Sequence, residues 1–298
     1  MNLNPSNRAP SVSFGATDRG RVRENNQDQF LVAQIRRAAA LKATTLDADQ
    51  PIMGDPQAEL LIVADGMGGH AAGEKASQLA IGSLTRQLLG GSDLFANVDG
   101  EQAESELAKQ LGALLTNVHR IICSEAERRE SDRGMGTTLT MAYVRWPQLY
   151  VVHAGDSRCY LIRNGVAKQV TTDHTIARQM VESGELSAEE EATSKFSHVL
   201  WNVLGGNPDS RLDAEIRRVN LRSGDAIVLC SDGLHRYVDS EELSRIVGDS
   251  ESPEAACRRL IAVANERGGE DNITVVVSRF QSEDDAMTTW VGEHDTTP

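Results

Sequence analysis

Leu60-Leu61-Ile62-Val63-Ala64-Asp65-Gly66-Met67-Gly68-Gly69-His70 runs five apolar residues into a carboxylate and three glycines. Such a run, bounded by turn formers, reads as a buried strand with Asp65 where it leaves the core. An isolated Asp-Gly pair is most often a tight turn. Here the pattern recurs. Residues 149–155 run into Asp156 and residues 226–231 into Asp232-Gly233, while Asp28 precedes Phe30-Leu31-Val32 and Asp271 precedes residues 273–277. Five strand ends therefore carry an Asp. Brought together by sheets, such like charges stay ionised only with cations among them. Oxygen donors without nearby cysteines favour hard cations, Mg²⁺ or Mn²⁺, over zinc.

The 298 residues carry a formal net charge of −14. One large domain is expected at this length. The acidity speaks against a nucleic-acid surface and against anionic membranes, since both require a basic face. Cys123, Cys159, Cys230 and Cys257 show no paired ligand spacing and read as reduced core residues of a cytoplasmic protein. No stretch resembles a signal peptide or approaches the ~20 apolar residues of a membrane span. A soluble monomer is the expectation.

Residues 1–10 are expected to be disordered, and 11–17 to form a short strand. The charged segment 21–28 leads straight into a strand, so its side chains stand at the strand mouth. Residues 36–58 read as a loop insertion of low order. Helical spacing then takes over, with Ala76, Ala80, Leu84 and Leu88 four apart until Gly90-Gly91, followed by a second stripe from Leu107 through Leu111, Leu115 and Val118 to Ile122. Residues 137–170 are β-rich, with Asn164-Gly165 as a hairpin turn. Residues 173–212 are polar and helical and read as a flap, with Ile176, Met180 and Val181 on one face and a capping box from Ser187 to Glu190. Helices near 240–247 and 253–267 precede the Asp271 strand, and 281–298 reads as a disordered acidic tail. Helices paired in sequence, without strict βαβ alternation, indicate an α+β layered fold.

These residues resemble the metal-dependent, type 2C Ser/Thr protein phosphatases, especially the bacterial members. The matching pieces are Arg23 with Asn26-Gln27-Asp28, residues 63–70, Gly134-Met135-Gly136-Thr137-Thr138 and His153-Ala154-Gly155-Asp156-Ser157-Arg158. They continue with Thr172-Asp173-His174, Leu204-Gly205-Gly206, Ser231-Asp232-Gly233-Leu234 and residues 269–274. Eight pieces in the family's order make the likeness specific over residues 11–280, the catalytic domain. The resemblance implies a four-layer α-β-β-α sandwich of two antiparallel sheets flanked by helices, with a metal cluster at one edge. It also implies site roles. Asp65 is similar to the carboxylate that bridges two ions, and Gly66 to the residue that lends one of them its carbonyl. Asp232 and Asp271 resemble ligands of the first ion, Asp156 matches a position that holds a weaker third ion with Asp232, and Asp28 resembles a ligand acting through water. Gln27 departs from the acid that many members carry.

A phosphate monoester dianion repels nucleophiles, so its hydrolysis calls for neutralised charge and a supplied hydroxide. Two divalent ions roughly 3.5–4 Å apart do both, through a metal-bridging hydroxide that attacks in line. Arg23 is the candidate phosphate contact, a planar two-pronged donor; its bland alternative is a surface charge. His70 is the candidate general acid for the leaving Ser or Thr oxygen. His153, on an apolar strand, reads instead as a satisfied core histidine, and His174 as an anchor of the flap. The expected substrates are phosphorylated proteins, a bacterial Ser/Thr kinase and its targets among them. Two rivals stand beside this reading. Intact Asp65, Asp232 and Asp271 count against a non-catalytic phosphopeptide-binding relative, and the acidic composition counts against a two-metal nuclease.

Overall fold

The computed structural model describes residues 11–39, 52–90 and 101–281, without the side chains of 37–39, 52, 53, 55, 70 and 101–104. In chain order it contains β1 (Ser11–Asp18), β2 (Gln29–Ala39), β3 (Ile52–Ala64), β4 (Gly66–Met67), α1 (His70–Gly90) and α2 (Glu101–Ala126). There follow β5 (Gly136–Thr137), β6 (Leu139–Arg145), β7 (Gln148–Ala154), β8 (Arg158–Arg163), β9 (Val166–Gln169), α3 (Ile176–Glu182) and α4 (Ala188–Glu191). The chain continues through β10 (Leu204–Gly205), β11 (Glu215–Asn220), β12 (Ala226–Cys230), α5 (Asp232–His235), α6 (Ser240–Asp249), α7 (Pro253–Glu266) and β13 (Ile273–Phe280).

Two five-stranded sheets, ordered β1-β13-β12-β8-β9 and β11-β7-β6-β3-β2, pair antiparallel throughout. Side-chain alternation stacks them. In β3, Leu60 and Ile62 pack with α1 and α2, whereas Leu61 and Val63 join Ile227, Leu229 and Val276 between the sheets. In β12, Val228 and Cys230 turn the other way, toward α6 and α7. Both faces of each antiparallel sheet are thus covered, so the inner strands read as unbroken apolar runs rather than as an apolar-polar alternation. The α-β-β-α order is that of the four-layer sandwich.

The helices bury the stripes that their spacing predicts: Ala76, Ala80, Leu84 and Leu88 of α1 and Leu111, Leu115, Val118 and Ile122 of α2 are all fully buried. Caps set the starts of the later pair. The Asp239 side chain accepts from Glu242 N–H before α6, and that of Ser252 from Ala255 N–H before α7, where Pro253 takes the first helical turn.

Two boundaries differ from the sequence expectation. The loop insertion expected over 36–58 is strand at both of its ends, because β2 runs to Ala39 and β3 begins at Ile52, paired through register shifts near Arg36. Arg36, Arg37, Gly54, Asp55 and Pro56 leave no period-2 apolar signature there. Only 40–51 of that stretch lies outside the described residues, as do the tails 1–10 and 282–298. A third, small sheet, β10-β5-β4, joins the flap's return to the turn after Asp65; strands of two residues carry no periodicity to read.

Leu61 is fully buried between the sheets, whereas Val166 is 66% exposed. Leu61→Ala is expected to destabilise the chain by about 2–5 kcal/mol and Val166→Ala by less than about 0.5 kcal/mol. Urea unfolding at fixed metal concentration measures both, and equal midpoints for the two variants would contradict the layer assignment.

Candidate active site

Asp65 leaves β3 with its backbone held on both sides. Its N–H donates to Thr138 Oγ1 at 3.0 Å, and its carbonyl accepts from Thr138 N at 2.9 Å and Thr137 Oγ1 at 2.8 Å. The next residue has to be small. A Cβ on Gly66 would stand 2.2 Å from the Gly73 carbonyl oxygen and 2.7 Å from that of Gln27, so only glycine lets α1 and the Asp28 turn close over this position. Gly233 plays the same part for the turns of Asp232 and Asp271, since its Cβ would lie 2.1 Å from Asn272 O.

All five sequence-predicted carboxylates come together here. Burial, first, and then the charges of Asp28, Asp232, Asp156 and Asp271 push the Asp65 carboxyl well above its ordinary range. Burial raises Asp28 to about 7 and Asp156 to about 8, with the Asp232 charge adding to both. Asp232 is raised too, by burial against the opposing pull of Arg236. Ser231 Oγ and Thr274 Oγ1 each donate to Asp28 Oδ2 at 2.7 Å, yet Asp28 Oδ1 is buried without a partner. Asp232 repeats this arrangement, with Oδ2 ion-paired to Arg236 and Oδ1 buried and unpaired. Two orphaned carboxylate oxygens inside a cluster of mutually repelling carboxylates fit hard divalent cations, which supply the missing charge and accept oxygen donors.

Arg23 Nη2 donates to Asp271 Oδ2 at 2.7 Å while the side chain stays 54% exposed, at the mouth of the acidic edge. Asn272 orders the loop behind it: Oδ1 accepts from Gln27 N at 2.8 Å, and Nδ2 donates to Arg19 O and Asn25 O, each at 2.9 Å. His70 opens α1, four residues after Gly66, and its side chain lies outside the described residues.

His153 is fully buried and bonded at both ring nitrogens, to Thr140 Oγ1 at 2.9 Å and to the Gly155 and Thr172 carbonyls at 3.0 and 3.1 Å. Burial holds it near 4, neutral. With His174 and Glu215 it gathers metal-type donors, but those hydrogen bonds already occupy its nitrogens. His174 takes the anchoring place expected of it: its N–H donates to Gly155 O at 2.7 Å, its Nδ1 accepts from Gly155 N at 3.1 Å, and its ring packs 5.1 Å from that of Trp201. The Ser187–Glu190 box is present on α4, with Ser187 N–H donating to Glu190 Oε2 at 3.0 Å.

Three residues escape the sequence reading. Arg158 grips Asp173 with two nitrogens, Nε to Oδ1 at 3.0 Å and Nη2 to Oδ2 at 2.7 Å, over a separation with no local signal. His235, half-buried and lowered to about 3 chiefly by desolvation, donates Nε2–H to the Asp156 carbonyl at 3.0 Å. Arg236 stands four residues after Asp232, a spacing that pairs charges on a helix, and this was a readable signal. A cavity of about 790 Å³ opens beside the cluster, with Asp156 and Asp232 on one side and the flap residues Arg178, Glu191 and His198 on another.

Comparison with known proteins identifies the family. The family model described as protein phosphatase 2C matches residues 42–267. The chain is 32% identical over 261 residues to the serine/threonine phosphatase stp of Listeria monocytogenes, covering 88% of this chain and 92% of that one. It is 34% identical over 262 residues to the serine/threonine protein phosphatase PstP of Mycobacterium tuberculosis, covering 88% of this chain and 43% of that longer protein. The crystal structure of that phosphatase superposes with a TM-score of 0.72 at 32% identity, over 91% of this chain and 99% of the other. A structure of the PstP catalytic domain in complex with two manganese ions gives 0.69 at 32% identity, over 91% and 99%. The chain therefore belongs to the protein phosphatase 2C family and is a serine/threonine phosphatase of its bacterial type.

Proposed function

We propose that this chain hydrolyses phosphoserine and phosphothreonine in proteins with two Mn²⁺ or Mg²⁺ ions held at the acidic edge, and that it opposes a bacterial Ser/Thr kinase in the cytoplasm as a monomer. The observation that carries this reading is the convergence of five strand-end carboxylates, two of them with an orphaned buried oxygen. Asp65 is assigned to both ions, the Gly66 carbonyl to one, Asp232 and Asp271 to the first, and Asp28 to a water-mediated contact. When bound, the ions activate a water and neutralise the phosphoryl oxygens.

The remaining work falls to the chain. Arg23, at the open mouth of the site, turns from Asp271 to grip the phosphate with its planar fork and so orients the ester for in-line attack. His70, at the start of α1, is assigned the proton for the departing Ser or Thr oxygen. Residues 11–280 are assigned to catalysis. Of the two flap helices, α3 buries only Ala177 and α4 buries no residue, so this part of the flap opens more readily than the sheets and gates access of protein substrates. Turnover of a phosphopeptide in Mn²⁺, compared with EDTA, tests the function; full activity after exhaustive chelation removes the metal mechanism.

Asp65→Asn takes the bridging charge from both ions and is expected to lower turnover by well over tenfold, more than ~1.4 kcal/mol of transition-state stabilisation. A variant that keeps above about a tenth of the rate would show that another residue bridges. Arg23→Ala is expected to raise KM for phosphopeptides several-fold at unchanged bound Mn²⁺, measured by steady-state kinetics beside metal analysis. Lost metal with an unaltered KM would assign Arg23 to the metal ligands instead.

Proton linkage gives a further expectation. With Asp28 raised to about 7 and Asp156 to about 8 from 3.8, the metal-free fold holds protons that the unfolded chain has released. Its stability is therefore lost as pH climbs from about 4 to about 8, because folding then demands buried, unpaired charge. Bound cations relieve this demand. The rise in Tm on adding Mn²⁺ is expected to be larger at pH 8 than at pH 5.5, and a pH-independent rise would mean that the carboxylates do not hold the ions.

A further inference from the structure

We infer that Arg236 limits this site to two divalent ions, by holding the oxygen of Asp232 that a third ion seated between Asp232 and Asp156 would need. The inference rests on the two-ion reading above and deepens it. Asp232 has one oxygen free and one engaged: Oδ1 is buried without a donor, while Oδ2 pairs with Arg236 Nη2. The same guanidinium reaches toward Asp271, with Nη1 3.8 Å from its Oδ2. A carboxylate disposed in this way offers an ion one oxygen, and sharing between two ions would take both.

Asp156 is the other carboxylate that a third ion would need. It lines the same cavity as Asp232 and Arg236, and among the described residues no side chain donates to its carboxylate. Its backbone is fixed by the residue just before Arg236, since His235 Nε2 donates to its carbonyl. The end of α5 thus positions Asp156 with one side chain and occupies Asp232 with the next. Charge fits this division. Two divalent ions neutralise four of the five carboxylates, and Arg236 covers the fifth once Arg23 has turned to the phosphate. Guanidinium keeps its charge at every accessible pH, and tethered four residues from its partner it needs no supply from solution, so it outcompetes a weakly held ion. An ordinary helix-face pair of the same spacing would leave the number of bound ions unchanged.

Equilibrium dialysis with Mn²⁺ on the full chain counts the ions. The expected result is two on the wild type and on R236K, which keeps a cation at this place, and three on R236Q, the additional ion held at least tenfold more tightly than any third ion on the wild type. Equal stoichiometry and affinity on wild type and R236Q overturn the inference, as does a third ion on R236K. Anomalous scattering from wild-type crystals soaked in Mn²⁺ tests the point without a variant: two peaks are expected, and a peak between Asp156 and Asp232 overturns it. Three ions on the wild type sink only the role of Arg236, whereas a wild type that binds no Mn²⁺ removes the two-ion reading and this inference with it.

Discussion

Mutual repulsion among buried carboxylates is the constraint that the architecture serves. At an effective dielectric of ~20, two unit charges 4 Å apart repel by about 4 kcal/mol, so five in one cleft oppose folding strongly. Asp28, Asp65 and Asp232 keep their places because each is tied to a rigid backbone. Asp65 sits between Thr137 and Thr138, Asp28 beneath Ser231 and Thr274, and Asp232 on the first turn of α5. None of these ties reaches across the cluster to another carboxylate ligand. The sandwich supplies position, and cations and arginines supply the missing charge.

Rigidity on that scale needs both faces of each sheet covered. With α1 and α2 over one sheet and α6 and α7 over the other, the strand ends cannot splay without opening two apolar layers at once. Close approach is part of the same design. At Gly66 and Gly233 the turns that carry Asp65 and Asp232 touch the backbones of Gly73 and Asn272, distances that a single methyl group would forbid. The glycines beside the acids act on the acids' spacing, even though they contribute no side chain.

This also explains which parts of the site were legible in the sequence. The runs before Asp65, Asp156 and Asp232 announce strands because both faces are buried, and the strand ends place the acids without any tertiary knowledge. The stripes of α1, α2 and α7 announce their helices by the four-residue spacing. What stays hidden is what only the folded chain brings together. Arg158 meets Asp173 across fifteen residues, Thr274 meets Asp28 across 246, and β4, β5 and β10 are too short to show a period. The ribbon of β2 and β3 past Ala58 hides for a related reason, since it pairs backbone to backbone with few apolar side chains to mark it.

The flap is fastened on a different principle from the acidic edge. Its first residues are held by neutral groups and tight ion pairs: His153 sits between Thr140 and the Thr172 carbonyl, His174 exchanges two hydrogen bonds with Gly155, and Arg158 grips Asp173. Burial keeps His153 near 4 and His174 below its ordinary value, and the Arg158 contact holds Asp173 low against its burial. His153, Arg158 and Asp173 keep one charge state between pH 6 and 8. Asp28 and Asp156, raised to about 7 and about 8, do titrate there. In the metal-free fold, proton uptake near neutrality therefore acts on the ion-binding edge and not on His153, Arg158 or Asp173 at the root of the flap, which separates what the site binds from how the flap is hung.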